Sequence, residues 1–220
     1  LINKFRFLNQ SRHLWSNKKI VREFSKLFYN QSKAGGTWNA TKWLGIKALK
    51  NPLDLFVYQE IIFEVKPDVI VETGTAFGGS ALFLASILDM LGKGKVLTIE
   101  ITKRPMPKHQ RIEYLFGSST DLKIVEMVKH RIKRRDNVLV ILDSDHKKEH
   151  VLAEMKIYSQ LVSIGSYLIV EDTNIGGHPV WKDHGPGPWE AVFEFMKGNK
   201  NFVVDRGREK YLLTNNPGGF

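Results

Sequence analysis

Residues 69–80 read Val-Ile-Val-Glu-Thr-Gly-Thr-Ala-Phe-Gly-Gly-Ser, and this stretch decides the fold. Its apolar, β-branched beginning predicts a buried strand, and residues 81–85 continue with helical spacing. Glycines between the two elements let the chain turn sharply and let a ligand approach the backbone, where the N–H groups of the new helix are free. An ordinary strand-to-helix turn has the same pattern, so the stretch alone does not identify a ligand site.

The next predicted strand, residues 96–100, ends in the acidic residue Glu100. A carboxylate at that position can accept both hydrogen bonds of a ribose diol. The glycine-rich turn and this strand-end acid together favour a cofactor that carries a nucleoside.

Composition limits the fold and the chemistry. The chain has 220 residues, of which 42% are hydrophobic, enough for one α/β domain with an N-terminal extension. It has no cysteine, which excludes disulfides, thiolate zinc sites and cysteine nucleophiles and leaves oxygen or imidazole ligands for a metal. The expected location is the cytoplasm, because no apolar run approaches the ~20 residues of a membrane span and the first residues lack a signal-peptide core.

The formal net charge of +10 lies entirely in residues 1–50, where Glu23 is the only acidic residue. We therefore expect no nucleic-acid partner. Residues 1–36 are predicted to form a basic, amphipathic helical extension, with Phe24 and Leu27 on its apolar face. Packing on its own domain or on a second subunit is the main interpretation, and peripheral contact with a membrane is the alternative.

Two further predicted strands, residues 138–142 and 167–170, are each followed by acidic residues. Strands that alternate with helices predict a parallel sheet, in which the carboxyl ends of neighbouring strands meet at one edge. Carboxylates brought so close together raise one another's pKa unless a cation neutralises them, and Mg²⁺, Mn²⁺ or Ca²⁺ suits oxygen ligands. Acidic loops that cap helices remain the alternative. The residues concerned are Asp143, Asp145, Glu171 and Asp172.

Three other segments have predicted roles. The turn at residues 117–121 caps a helix or faces the cofactor base, and capping is the commoner role. The glycine- and proline-rich residues 175–188 are predicted to form a lid. Residues 202–205 and 211–214 are predicted to pair as an antiparallel hairpin at the edge of the sheet.

The motifs together resemble a known family. Residues 72–78 resemble the E/D-x-G-x-G-x-G motif of S-adenosylmethionine-dependent methyltransferases, with Ala76 in place of the middle glycine. Seven motifs in order resemble the cephalosporin hydroxylase / rhamnosyl O-methyltransferase family, and the match runs from about Trp43 to Phe220. They are residues 58–60, 72–80, 117–121, 142–146, 170–174, 185–188 and 216–219.

The resemblance implies a fold and an activity. Residues 37–220 would form the Rossmann-like class I methyltransferase fold: a mostly parallel seven-stranded sheet with an antiparallel C-terminal hairpin and helices on both faces. The implied cofactors are S-adenosylmethionine and a divalent cation such as Mg²⁺. The implied reaction is O-methylation of a hydroxyl on a sugar, glycoside, lipid-linked glycan or other natural product, by a homo-oligomer.

The resemblance also implies site residues. Independently of the resemblance, His146 is the candidate base, with a hydrogen-bonded structural role as the alternative. Metal ligands would be Asp145, Glu171 and Asp172, and the choice between Asp143 and Asp145 stays open because catechol-type methyltransferases use the Asp143 position. The cofactor would contact Glu72, Gly74, Thr75, Gly78, Gly79, Ser80, Glu100, Ser118, Ser119 and Asp143.

Three other functions are weaker interpretations. A hydroxylase of the same family would need a two-histidine iron site, and the spacing of the histidines supports none. A non-catalytic nucleotide-binding module would not need the metal cluster. A NAD-dependent dehydrogenase would need the second glycine of G-x-G-x-x-G, which the turn lacks.

Overall fold

The computed structural model describes residues 10–220, with side chains from Lys18 onward. The part of the predicted extension before Gln10 therefore lies outside the described residues. Within residues 10–220, seven strands and six α-helices follow one another. They are α1 (Gln10–Gln31), β1 (Lys42–Trp43), β2 (Ile46–Lys47), α2 (Pro52–Val65), β3 (Val69–Thr73), α3 (Gly79–Leu91), β4 (Lys95–Glu100), β5 (Ile112–Phe116), α4 (Leu122–Arg131), β6 (Val138–Leu142), α5 (Lys148–Tyr158), β7 (Leu168–Val170) and α6 (Pro188–Gly198).

Five of the strands form a parallel sheet in the order β5-β4-β3-β6-β7. The strand from the deciding stretch, β3, lies in the middle, and Thr73 is in register with Ile99 of β4 and Leu142 of β6. The strand order reverses at β3, so the connections on its two sides leave a crevice at the carboxyl edge. Every strand-end residue singled out from the sequence lies at this edge.

The side chains of each strand alternate between two apolar cores. Val71 and Val140 face a core completed by α4, α5 and α6, whereas Ile70 and Ile141 face a core completed by α2 and α3. Both faces of β3 are fully buried, and burying one such side chain stabilises the fold by ~1.5–3 kcal/mol. The sheet therefore fixes the strand ends rigidly in place.

Helix α2 leads into β3, and both of its ends are capped. Asn51 caps it, because its side chain accepts a hydrogen bond from Leu53 N at 3.1 Å, and Pro52 occupies the first turn. Lys66 ends it in a left-handed conformation with φ of 49°. The cap fixes where the chain enters the helix, and Lys50 directly precedes that cap.

The Rossmann-like α/β class with helices on both faces is confirmed, but the strand count is wrong. The central sheet has five strands rather than seven. Residues 202–205 and 211–214 form no strand pair, and a 3-10 turn at Arg206–Glu209 lies between them. Isolated bonds replace the ladder: Val170 N donates to Gly219 O at 2.8 Å, and Asp205 N to Phe220 O at 2.9 Å. The antiparallel pair of this structure is β1 with β2.

Helix α1 is held by its C-terminal end. Thr37 Oγ1 donates to Phe28 O at 2.7 Å, and the Tyr29 ring stacks on Trp38. On the outer face Phe24 and Leu27 are half exposed. Among residues 10–220 no helix has the length and apolarity required to cross a bilayer. The division at residue 36 and a contact of this helix with a membrane stay predictions.

Candidate active site

A cavity opens at the carboxyl edge, above the ends of β3 and β4. Gly74 lies at its floor with φ of 83°, and a Cβ added there would lie 1.8 Å from the Asp143 carbonyl oxygen. Only glycine therefore lets the ends of β3 and β6 approach so closely. The lining residues are Gly74, Ile99, Glu100, Ile101, Gly117, Ser118, Ser119, Ser144, Asp145 and His150.

Glu100 is fixed in the cavity wall by backbone donors. Its two carboxylate oxygens accept from Ala76 N at 2.8 Å and from Thr102 N at 2.9 Å. A carboxylate has lone pairs for further donors, so Glu100 can also accept from a diol in the cavity. The side chain thus meets the geometric need of the predicted ribose contact.

Several predicted cofactor residues have structural partners instead. Glu72 is fully buried, and its oxygens accept from Ser80 Oγ at 2.5 Å and Thr98 Oγ1 at 2.6 Å. Burial raises the pKa of Glu72. Thr75 Oγ1 lies 2.5 Å from Thr98 Oγ1. These side chains shape the turn from within, and their direct contact with a cofactor stays a prediction.

The two glycines at the start of α3 allow close packing. A Cβ added at Gly78 would lie 2.7 Å from the Pro107 ring. One added at Gly79 would lie 2.2 Å from the Lys47 carbonyl oxygen, so the β1–β2 hairpin could not lie against α3. Gly78 and Gly79 therefore allow Pro107 and the β1–β2 hairpin to pack against the start of α3.

An acidic centre lies beside the cavity, at the ends of β6 and β7. Asp143, His146 and Asp172 each offer one ligand atom, and these three atoms lie within 4.8 Å of one another. His146 Nε2 is 3.2 Å from Asp172 Oδ2. Two carboxylates and an imidazole fit a divalent cation such as Mg²⁺ or Mn²⁺. The acidic centre could hold such an ion.

The structure separates the predicted metal residues. Asp172 lies in the acidic centre, with Asp143 rather than Asp145 as its partner. Asp145 is exposed, accepts from Lys147 N at 3.0 Å and lines the cofactor cavity. Glu171 is buried behind the centre. The geometry thus groups Asp143, His146 and Asp172, and which carboxylates ligate a metal stays a prediction.

A lysine that the sequence did not single out lies among these carboxylates. Lys50 is 3% exposed, and its Nζ donates to Asp143 and, at 2.5 Å, to Glu171. Burial opposes its charge, but Asp143 and Glu171 outweigh burial and raise the pKa of Lys50 above its usual range. Its two carboxylate partners thus stabilise the ammonium form of the side chain. Its partners are 93 and 121 residues away, so no local pattern could reveal it.

The C-terminal residues support the acidic centre from below. Asn216 Oδ1 accepts from Asp172 N at 2.9 Å, and Asn216 Nδ2 donates to Tyr58 OH at 2.9 Å. Asn215 N donates to Asp54 Oδ2 at 2.8 Å. Burial raises the pKa of Asp54 to about 7. Helix α2 and the C-terminal residues thus fix the position of Asp172.

An aromatic cluster is centred on Tyr29 of α1. Tyr29 of α1 stacks on Trp38 with ring centroids 5.8 Å apart and meets Trp181 of the predicted lid at 6.5 Å. Burial and the charge of Asp172 raise the pKa of Tyr29 to about 12, which places its hydroxyl in the field of the acidic centre. Trp38 Nε1 and His184 Nδ1 are buried without a hydrogen-bond partner among the described residues. We call Tyr29, Trp38 and Trp181 the aromatic wall.

His150 in the cavity is a second residue that the sequence did not reveal. Its Nε2 lies 3.2 Å from Ser119 Oγ and 3.5 Å from Glu154 Oε1. The hydrogen bond with Glu154 raises the pKa of His150. The signal was present in the sequence, because residues 150 and 154 share one face of a helix that starts after an acidic strand end.

The chain is similar to known methyltransferases in sequence and in fold. Residues 35–220 match the family model described as rhamnosyl O-methyltransferase/CmcI. The rhamnosyl O-methyltransferase of Mycobacterium tuberculosis strain H37Rv is 39% identical over 210 residues, covering 91% of this chain and 84% of that protein. The corresponding protein of Mycobacterium leprae strain TN is 40% identical over 198 residues, covering 87% and 84%. The solved Mg-SAM structure of CmcI has a TM-score of 0.62 at 20% identity and covers 83% of this chain and 75% of its own, which concerns the fold alone.

Proposed function

This chain belongs to the rhamnosyl O-methyltransferase/CmcI family, and from that premise we propose that it methylates a hydroxyl of a rhamnose-containing glycoside. The resemblance predicted from the seven motifs is confirmed, and the chain is an S-adenosylmethionine-dependent O-methyltransferase. One observation carries the proposal. The cofactor cavity and the acidic centre adjoin at a single sheet edge, so donor and acceptor can meet there.

The cofactors supply the reactive group and its activation. When bound, S-adenosylmethionine supplies an activated methyl group, and a divalent cation lowers the pKa of the acceptor hydroxyl. Gly74, Ser118 and Ser119 would bound the cofactor in the cavity, and Glu100 would accept from its ribose. Asp143 and Asp172 would hold the cation. These residues would thereby hold the cofactor and the acceptor hydroxyl side by side at the carboxyl edge of the sheet.

A base for the proton of the acceptor hydroxyl lies in the acidic centre. His146 faces the acidic centre, and its Nε2 lies 3.2 Å from Asp172. We assign His146 as the base, because the carboxylate of Asp172 would stabilise the imidazolium that forms when the proton is taken. With that proton held by His146, the acceptor oxygen would be able to take the activated methyl group that bound S-adenosylmethionine supplies.

The aromatic wall suits a sugar acceptor. Trp181 is half exposed, and an exposed aromatic face can pack against the C–H face of a pyranose ring. The curated mycobacterial relatives are named for rhamnosyl acceptors. Helix α1 would thus complete the acceptor site, and homo-oligomer formation stays a prediction.

The structure disfavours a hydroxylase. Within residues 18–220 the grouped ligand atoms comprise two carboxylates and one histidine. The two-histidine, one-carboxylate set of a non-haem iron oxygenase is therefore not assembled in this part of the chain.

Calorimetry and a methyl-transfer assay test the proposal. The full chain should bind S-adenosylmethionine and not NAD. It should form S-adenosylhomocysteine from octyl α-L-rhamnopyranoside in Mg²⁺ and lose that activity in excess EDTA. Transfer to a glucoside but to no rhamnoside would contradict the acceptor, and full activity in EDTA would contradict the metal.

A further inference from the structure

Lys50 places a buried positive charge where the predicted cation would bind. Its Nζ contacts Asp143 at the end of β6 and Glu171 at the end of β7. These strands are direct neighbours, with Leu142 in register with Val170, so the two carboxylates approach each other whether or not an ion is bound. The ammonium of Lys50 bridges them.

The charges of the site do not balance with Lys50 alone. Asp143, Glu171 and Asp172 bring three carboxylates, and one ammonium compensates one of them. Uncompensated carboxylates at such distances in a buried site repel strongly. A divalent cation would compensate carboxylate charge that Lys50 leaves.

We infer that Lys50 is a resident counter-ion, which holds Asp143 and Glu171 together in the metal-free protein and weakens the site's affinity for the divalent cation. The inference rests on the proposed function only for the identity of that ion. Lys50 is thus a positioning residue. Lys50 keeps Asp143 and Glu171 in position in the metal-free protein. By lowering the affinity of the site, it also lets the divalent cation dissociate more readily.

The test replaces Lys50 by methionine, which keeps the length of the side chain and removes its charge. In EDTA the melting temperature of Lys50→Met should fall by about 5 °C or more, because the carboxylates lose their counter-ion. About 10 mM Mg²⁺ should restore most of that loss, while the wild-type value should change by about 2 °C or less. Calorimetry should show Mg²⁺ binding roughly tenfold tighter in the variant than in the wild type.

Two further variants separate charge compensation from simple packing. Lys50→Met combined with Glu171→Gln removes one charge of each sign, so this double variant should melt in EDTA near the wild-type temperature. Lys93→Met is the matched control, since Lys93 pairs with Asp68 on the surface at 2.8 Å. It should respond to Mg²⁺ as the wild type does.

The inference is overturned if Lys50→Met loses equal stability with and without Mg²⁺, or binds Mg²⁺ no more tightly than the wild type. If Lys50→Met cannot be obtained folded, the double variant decides: folding in EDTA supports the inference, and failure to fold overturns it. Wild-type methyl transfer to octyl rhamnopyranoside is scored separately. Its absence would remove the proposed function and leave the Mg²⁺ response of Lys50→Met standing.

Discussion

The cofactor cavity and the acidic centre lie side by side at one sheet edge, yet they are assembled differently. In the cavity, the anchor Glu100 takes its hydrogen bonds from residues 24 and two positions away in the chain. In the acidic centre, Asp143 and Glu171 meet Lys50 across 93 and 121 residues. Two neighbouring strands therefore specify the anchor of the first region, whereas the second needs chain segments that are far apart in the sequence.

The two regions also differ in how charge is stabilised. Backbone N–H groups of Ala76 and Thr102 hold the single carboxylate of Glu100, and the Arg104 guanidinium lies 3.8 Å from it. The acidic centre instead sets several carboxylates against the buried ammonium of Lys50. We therefore expect substitutions in the cavity to lower cofactor affinity in part, and substitutions in the acidic centre to remove most of the methyl transfer.

The largest effect is expected for Asp172→Asn. Removing one carboxylate of the acidic centre should lower methyl transfer by about 10²–10³-fold, because the cation and the imidazolium of His146 both lose their partner. Cofactor affinity should stay within about threefold, since other strand ends build the cavity. Steady-state kinetics with calorimetry measures both.

Asp143→Asn and Asp145→Asn sharpen this result. The geometry predicts that Asp143→Asn loses Mg²⁺ dependence and activity together, while Asp145→Asn keeps Mg²⁺ dependence and changes cofactor affinity instead. The opposite pattern would show that the resemblance, with Asp145 as a ligand, describes the bound state better.

An intermediate effect is expected for Glu100→Gln. The neutral amide should weaken S-adenosylhomocysteine binding by about tenfold to a hundredfold, which corresponds to the ~1.5–3 kcal/mol of a charged hydrogen-bond partner. Glu113→Gln on the neighbouring strand β5 is the control, because Glu113 pairs with Arg131 away from the cavity. Equal affinities of Glu100→Gln and the wild type would place the ribose elsewhere.

Asp54, beneath the acidic centre, predicts a pH dependence of stability. Burial raises its pKa from the ordinary value of 3.8 to about 7, so the folded protein binds this proton more tightly than the unfolded chain. This contribution is full below about pH 4 and is lost as the pH rises towards about 7. Between pH 5 and pH 8 the wild type should lose on the order of 2 kcal/mol of unfolding free energy relative to Asp54→Asn in urea titrations. Parallel curves for the two proteins would show that Asp54 is ionised at pH 5.

The smallest effect is expected at the aromatic wall. Trp181→Ala should raise the KM for octyl rhamnopyranoside about threefold to tenfold with little change in kcat, because one stacking surface is worth ~0.5–1.5 kcal/mol. Phe63→Ala on α2, an exposed aromatic residue remote from the edge, is the control. A loss in kcat alone would assign Trp181 to the cofactor or the base rather than to the acceptor.

The sequence by itself determined the central sheet and the edge where the chemistry lies. Apolar, β-branched runs predicted the strands at residues 69–73, 95–100, 112–116, 138–142 and 168–170 within one or two residues. Such runs are local, and the rule that polar residues follow the carboxyl ends of parallel strands needs only their order. Glu100 was predicted for the same reason, since its partner Ala76 lies in the adjoining motif, whereas the closeness of Gly74 to Asp143 became visible only in the sheet.

Only the tertiary structure decided how the acidic residues combine. Whether Asp143 or Asp145 faces Asp172 depends on the direction of the chain as it leaves β6, and Lys50 and Asn216 arrive from distant elements. The missing C-terminal hairpin has the same origin, because single bonds to β7 satisfy the terminal backbone without a second strand. Pairings between distant residues carry no periodicity in the sequence, because they are set by how the elements close on one another and by which charges must then be compensated.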